Sequence, residues 1–242
     1  MIQYWPVLAY ACAWMLFAYL CGSVSFAVVV SRVMGLQDPR TFGSHNPGAT
    51  NVLRTGNKLA ALATLMLDGF KGWVPLVIAK AYLLQNPIYD FASFGFGTDE
   101  LFISNCASWA VAGVAISAFA GHLWPVFFGF KGGKGVATAA GLLLGMQPLL
   151  GLGVLITWIA VALITRYSSL SALISAALAP VYFVVGSTYI WTDVEGKLNA
   201  NPWPLAFASA LMAALLIFRH KENIARLWSG QESKIFSKKS AG

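Results

Sequence analysis

Charge is the scarcest thing in this sequence. Charged residues make up 10% of the 242 positions and hydrophobic ones 58%, whereas a soluble domain carries about 25% charged. Mean hydropathy is +0.68. Such a chain cannot clothe a water-facing surface, which excludes a soluble enzyme and makes the bilayer its solvent. No polar stretch is long enough to fold alone, which excludes a second, soluble domain. Residues 1–232 therefore read as a single membrane domain and 233–242 as a flexible basic tail. Cysteine is nearly absent too. Cys12, Cys21 and Cys106 lack metal-ligand spacing, so a thiolate metal centre is excluded and reduced packing thiols are expected. No Lys or Arg precedes Arg32. A secretory signal needs a basic start and a short apolar run, so the long first run is expected to be an uncleaved span. There is no internal repeat, no GxSxG elbow and no GxxxxGK[ST] phosphate loop.

What the sequence does have is long apolar runs, at 5–31, 59–84, 101–128, 136–165, 170–191 and 203–218. A straight helix needs about 20 residues to cross the hydrocarbon. The net charge of +7 sits between these runs. That placement excludes nucleic acid as the partner and points to cytoplasmic loops facing anionic headgroups. Loop 32–58 holds Arg32, Arg40, Arg54 and Lys58 against Asp38. Loop 129–135 holds Lys131 and Lys134, and the tail is basic, while loops 85–100 and 192–202 are acidic or mixed. The bias of Lys and Arg toward the cytoplasm places the basic segments inside.

An even number of crossings must then separate loop 129–135 from the tail, yet only three runs lie between them. The run 136–165 is long and interrupted by Gln147-Pro148. Proline breaks a helix and restricts the residue before it. The run is therefore expected to split into a short piece, 136–147, of about 18 Å at 1.5 Å per residue, and a full return, 148–165. The expected fold is all-α and polytopic, with seven transmembrane helices, one of them short, N-terminus outside and C-terminus cytoplasmic.

Four polar stretches then share the cytoplasmic face. Gly43-Ser44-His45-Asn46-Pro47-Gly48-Ala49-Thr50-Asn51-Val52-Leu53-Arg54 crowds turn formers, short donors and a guanidinium fork suited to phosphate. Lys131-Gly132-Gly133-Lys134-Gly135 stands before an apolar helix, where bare backbone N–H groups and the helix dipole favour an anion. Arg166-Tyr167-Ser168-Ser169-Leu170-Ser171 reads as a helix start. In Arg219-His220-Lys221-Glu222-Asn223, His220 and Asn223 are three apart and share a helix face. Each has an ordinary reading as well: a polar loop with caps, a headgroup-binding turn, a cap, and a helix lying on lipid. Asp68 and Lys71, also three apart, are buried charges that suit either a structural pair or the polar site. His122 reads as a packed histidine. Together these stretches offer basic groups, hydroxyls and one histidine but no carboxylate cluster or metal set, an inventory for holding phosphates and a developing oxyanion.

GSHNPGATNVLR, LDGFKG, GHLWPVFFGF, FKGGKGVAT and HKENIARLWSGQE, in this chain order within a match from about Gly22 to Glu232, resemble the bacterial acyl-phosphate:glycerol-3-phosphate acyltransferase family. The resemblance implies a seven-helix enzyme of the bacterial inner membrane. It would move an acyl chain from acyl phosphate to the sn-1 hydroxyl of glycerol 3-phosphate, giving lysophosphatidic acid and phosphate, the first step of phospholipid synthesis. Its partners would be those two substrates and membrane lipids, with no cofactor and no metal. Carried onto this sequence, the candidate catalytic residues are Ser44, Lys134, Ser169, His220 and Asn223. Asn46, Thr50, Asn51, Arg54, Lys131, Gly132, Gly133 and Ser168 are the candidate substrate-binding ones. The chain departs from the family pattern at His45, usually small or variable, and at Ser25 and Ala27, where proline and glycine are common.

An acyl phosphate is already activated, so direct attack by the glycerol hydroxyl is expected, without an acyl-enzyme. Its proton would pass to His220 or, since no carboxylate is seen to orient that histidine, to a substrate phosphate. Two alternatives are an anion or lipid transporter, which would place its site at the midplane and often show repeats, and an acyltransferase with an HxxxxD pair. The second lacks its motif: Thr50 follows His45 at that spacing, and Phe127 follows His122.

Overall fold

The computed structural model describes residues 5–85, 100–189 and 203–235. The acidic loops used above to assign sidedness lie almost wholly outside the described residues. The regular structure among the described residues is helical: α1 (Trp5–Gly22), α2 (Phe26–Val33), α3 (Ala49–Val52), α4 (Lys58–Gln85), α5 (Glu100–Leu123), α6 (Val136–Met146), α7 (Pro148–Thr165), α8 (Ser168–Tyr189), α9 (Trp203–Arg219) and α10 (Lys221–Trp228), with short 3-10 turns after α3 and α5.

Four helical stretches are long and apolar enough to cross a membrane: Lys58–Leu83, Asn105–Phe128, Pro148–Thr165 and Ser168–Gly186. Two bent pairs, Leu8–Gly22 with Phe26–Val33 (41°) and Trp203–Arg219 with Lys221–Trp228 (59°), raise the number to as many as six. The first run, expected as one span, is therefore broken at Ser23–Ser25. Side chains facing outward along the spans, such as Leu149, Ile156, Leu163 and Ile164, are apolar, as a lipid-facing surface requires. Inward, Phe119, Phe183, Leu76 and Leu142 are fully buried among alanines.

With no hydrophobic drive between helices in lipid, small residues let backbones approach. The contact of α6 with α4 shows it. A Cβ on Gly141 would collide with the Gly69 carbonyl.

The expected split of 136–165 is present. Gln147 is extended (φ −149°, ψ 107°) and Pro148 opens α7 at its first turn, where a missing N–H costs nothing. Helix α6 has 11 residues, about 16 Å at 1.5 Å per residue, against a hydrocarbon core of about 30 Å. Its end falls inside the bundle, where backbone carbonyls need partners. Lys80 of α4 supplies one: its Nζ donates to Met146 O at 2.7 Å and reaches Gly145 O at 3.4 Å.

The tail is attached further than expected. Gly230 takes φ +69° and turns the chain back after α10, and the Ile235 N–H donates to Arg166 O at 2.7 Å. Residues 236–242 lie outside the described residues.

Candidate active site

The loop between α2 and α4 is built from its own residues. The Arg40 guanidinium grips the Asp38 carboxylate at 2.6 Å. His45 Nδ1 donates to Arg40 O at 3.1 Å. Asn51, 1% exposed, donates to Pro39 O at 2.6 Å and Phe42 O at 3.1 Å, and accepts the Ser44 N–H at 3.2 Å. A Cβ on Gly43 (φ +60°) would meet Asn51 and Arg54, so the Arg54 guanidinium lies against that turn. Ser44, His45 and Asn46 are thereby presented to a polar cavity of about 270 Å³.

The opposite wall is the turn before α6, which is positioned by other segments. The Gly133 N–H donates to His122 O at 3.2 Å. The Arg219 guanidinium donates to Gly132 O at 2.8 Å and Gly133 O at 3.1 Å. Gly132 and Lys134 line the cavity with Phe218, Arg219, Lys221 and Glu222. Lys134 Nζ donates to Asn223 Oδ1. Burial, followed by the nearby Arg226 charge, lowers the Lys134 pKa from the ordinary lysine value.

Behind Lys134 stands a carboxylate. Glu232 Oε1 accepts from Ser169 Oγ and Asn223 Nδ2, both at 2.6 Å, and its Oε2 accepts Arg226 Nε at 2.7 Å. Burial would raise its pKa, but the bonds from Ser169, Asn223 and Arg226 outweigh that and hold it below the ordinary carboxylate value. His220, 3% exposed, has Nδ1 2.8 Å from Leu216 O. A carbonyl only accepts, so Nδ1 carries the hydrogen and Nε2 is bare. Burial pushes this histidine down to about 4, so it is neutral at physiological pH.

The structure thus brings Ser44, Asn46, Gly132 and Lys134 around one cavity, with Asn223, Glu232 and Ser169 chained behind Lys134. Gly133 is buried beneath the turn, and Ser168 opens α8 beside Ser169. Thr50, Arg54 and Lys131 are exposed and do not line the cavity, and the side chain of Asn51 is committed to the loop. Arg219, Lys221, Glu222 and Glu232 were missed as site residues by sequence reasoning. Glu232 adds a single carboxylate to the site, bonded to Ser169, Asn223 and Arg226 rather than to His220. Its signal was the Ser229-Gly230 helix stop six and seven residues after Asn223, which lets the chain fold back. Asp68 and Lys71 prove to be a buried pair at 2.7 Å.

Beside the polar cavity runs an apolar groove of about 140 Å³ among α6, α7, α8 and α9. Val136, Leu143, Trp158, Ala176, Met212 and Leu216 are among its walls. Val136 lies two residues after Lys134, and Leu216 carries the carbonyl that binds His220, so the groove begins where the polar wall ends.

A family model described as glycerol-3-phosphate acyltransferase matches residues 12–230. A glycerol-3-phosphate acyltransferase of Bordetella petrii is 48% identical over 240 residues, 99% of this chain and 100% of that protein. One from Paraburkholderia phytofirmans is 51% identical, over 93% of this chain and 90% of the relative. Two solved structures of PlsY (YgiH), an integral membrane glycerol 3-phosphate acyltransferase, are similar throughout. The glycerol 3-phosphate form has a TM-score of 0.72 at 33% identity, covering 93% of this chain and 96% of that one. The lysophosphatidic acid form has 0.71 at 32%, covering 93% and 95%.

Proposed function

This chain belongs to the glycerol-3-phosphate acyltransferase family, and from that premise we propose that it transfers an acyl chain from acyl phosphate to the sn-1 hydroxyl of glycerol 3-phosphate. The products are lysophosphatidic acid and inorganic phosphate, and the enzyme works at the cytoplasmic face of a bacterial inner membrane. The observation that carries this is the junction of two unlike cavities: a basic one with Lys134, Arg219 and Lys221, and an apolar one that starts at Val136 and Leu216. An acyl phosphate has these same two halves. The solved relatives were captured with glycerol 3-phosphate and with lysophosphatidic acid, the acceptor and the product of this reaction.

In the proposed step the acceptor's hydroxyl oxygen attacks the acyl carbon, the new C–O bond forms, and the bond from that carbon to the phosphate oxygen breaks. Lys134 and the Gly132–Gly133 turn hold phosphate charge, and Ser44 and Asn46 donate to substrate oxygens. Asn223 and Glu232 fix the Lys134 ammonium, and Ser169 steadies Glu232. A histidine with a value near 4 is a weak base at pH 7, so His220 orients the hydroxyl through Nε2 and the proton leaves on a substrate phosphate. Asn51 and Arg54 act by shaping the first loop. Thr50, Lys131 and Ser168 serve at the rim and at the helix start. The fold is read as seven spans: the four long helices, the α1–α2 pair, α9 and the short α6, with the N-terminus outside. A transporter reading lacks an observation in its favour.

Purified protein should release phosphate from acyl phosphate only when glycerol 3-phosphate is added. Release that ignores the acceptor, or an acyl group trapped on Ser44 or Ser169 during turnover, would refute the one-step transfer. Labelling of single cysteines from either side of the membrane tests the seven-span topology.

A further inference from the structure

Beneath the Gly132–Gly133 turn lies a charged cluster that the reaction does not use. Asp68 and Lys71 of α4 pair at 2.7 Å with their side chains 4% and 3% exposed. Lys71 Nζ also donates to Val24 O at 2.6 Å, inside the break between α1 and α2. Thr138 of α6 donates its hydroxyl hydrogen to Asp68 O at 2.9 Å, and its oxygen lies 3.1 Å from His122 Nδ1. Since that hydrogen is already used, Nδ1 is the donor and His122 Nε2 is bare. The bare nitrogen faces Gly133: a Cβ there would collide with Nε2, and one on Gly132 would collide with His122 O.

Three chain turns therefore meet on one cluster: the α1–α2 break, the end of α5 and the start of α6. A buried ion pair adds little net stability, because desolvation offsets its Coulomb attraction. What it fixes well is geometry, since buried donors and acceptors tolerate few arrangements. Charges within a span are also costly enough to call for a role.

We propose that Asp68, Lys71, His122 and Thr138 form a positioning base that sets the height and tilt of the Gly132–Gly133 turn under the substrate phosphate. The inference rests on the reading that this turn holds phosphate. His122 is the template in contact with the glycines, Thr138 holds the His122 ring, and the Asp68–Lys71 pair anchors Thr138's partner to the α1–α2 break. None of the four touches substrate; they act through the turn.

The test separates positioning from folding. In purified wild type, Thr138→Val, Thr138→Ser and His122→Ala, two quantities are measured: inorganic phosphate binding by titration, and kcat and KM for both substrates. Thr138→Val keeps the shape and loses the hydroxyl. It should raise the KM of a phosphate-bearing substrate on the order of tenfold and weaken phosphate binding in parallel, with kcat within about threefold. Thr138→Ser should restore both. Gly133→Ala should be severely impaired and partly rescued in Gly133→Ala/His122→Ala, because the colliding ring is gone. A merely structural role predicts fewer active molecules at unchanged KM, and that result, or wild-type phosphate affinity in Thr138→Val and His122→Ala, overturns the proposal. Phosphate bound by wild type without transfer would refute the acyl-transfer reading alone. Wild type that binds no phosphate would overturn this inference.

Discussion

The two walls of the polar cavity are held by opposite strategies. The 38–54 loop is tied from within, by Asp38 to Arg40 and by Asn51 to the backbone of Pro39, Phe42 and Ser44. The 131–135 turn is tied from outside, by His122 of α5 and Arg219 of α9. A loop that supplies its own partners keeps its shape as long as its own sequence does. A turn held by distant helices has a shape set by how those helices pack. The first wall is thus locally specified and the second is a readout of the whole bundle.

The sharpest way to test this contrast is at the end of the second wall. Lys134→Ala removes the cation proposed to meet phosphate, and kcat/KM should fall by roughly 10²–10³, the usual effect of losing a transition-state donor, while expression is retained. Comparable kinetics would remove Lys134 from the site. Arg219→Lys comes next. A lysine lacks the rigid planar fork with which the guanidinium meets the Gly132 and Gly133 carbonyls together, so activity should drop about tenfold or more through loss of the outside tie; full activity would show that the turn holds itself. Asn51→Ala probes the inside tie. It strands the Ser44 N–H and two carbonyls and should cost about 1–3 kcal/mol for each buried group left unpaired, read as a lower melting temperature with a smaller change in KM. If Asn51→Ala instead behaves like Lys134→Ala, the contrast between the walls fails.

The smallest effects come from pH. Glu232 has its folded value below its unfolded one, about 4.3. Its contribution is present above the unfolded value and fades as pH falls through the folded one. Glu232→Gln should flatten melting temperature against pH in that acid range. His220, held near 4, stays neutral from pH 5 to 8 and should add no inflection to kcat/KM there. An imidazole titration near its ordinary value, about 6.5, would contradict its burial.

Legibility in the sequence follows the same division. The split at Gln147-Pro148 was readable because proline acts on its neighbours in the chain. The helix start at Ser168 was readable for the same reason. Ser44, Asn46, Gly132 and Lys134 were found because their motifs are contiguous. Glu232 was passed over because its partners Ser169 and Asn223 are 63 and 9 residues away, and only the Gly230 turn unites them. Arg219 was read as part of a tail, since nothing local says that its guanidinium crosses to Gly132. The break at Ser23–Ser25 falls inside a run read as one span, and the Lys71 ammonium that occupies the freed Val24 O lies 47 positions on.

The short helix α6 and its capping lysine carry an electrical consequence. A helix is a dipole whose two ends oppose each other at any distant point. Here the negative pole is tied off at Met146 by Lys80, deep in a medium with little screening, while the positive pole opens just behind Lys134. The rod is therefore a one-ended electrode, grounded at its base and live only at the Lys134 end, where the proposed phosphate would sit.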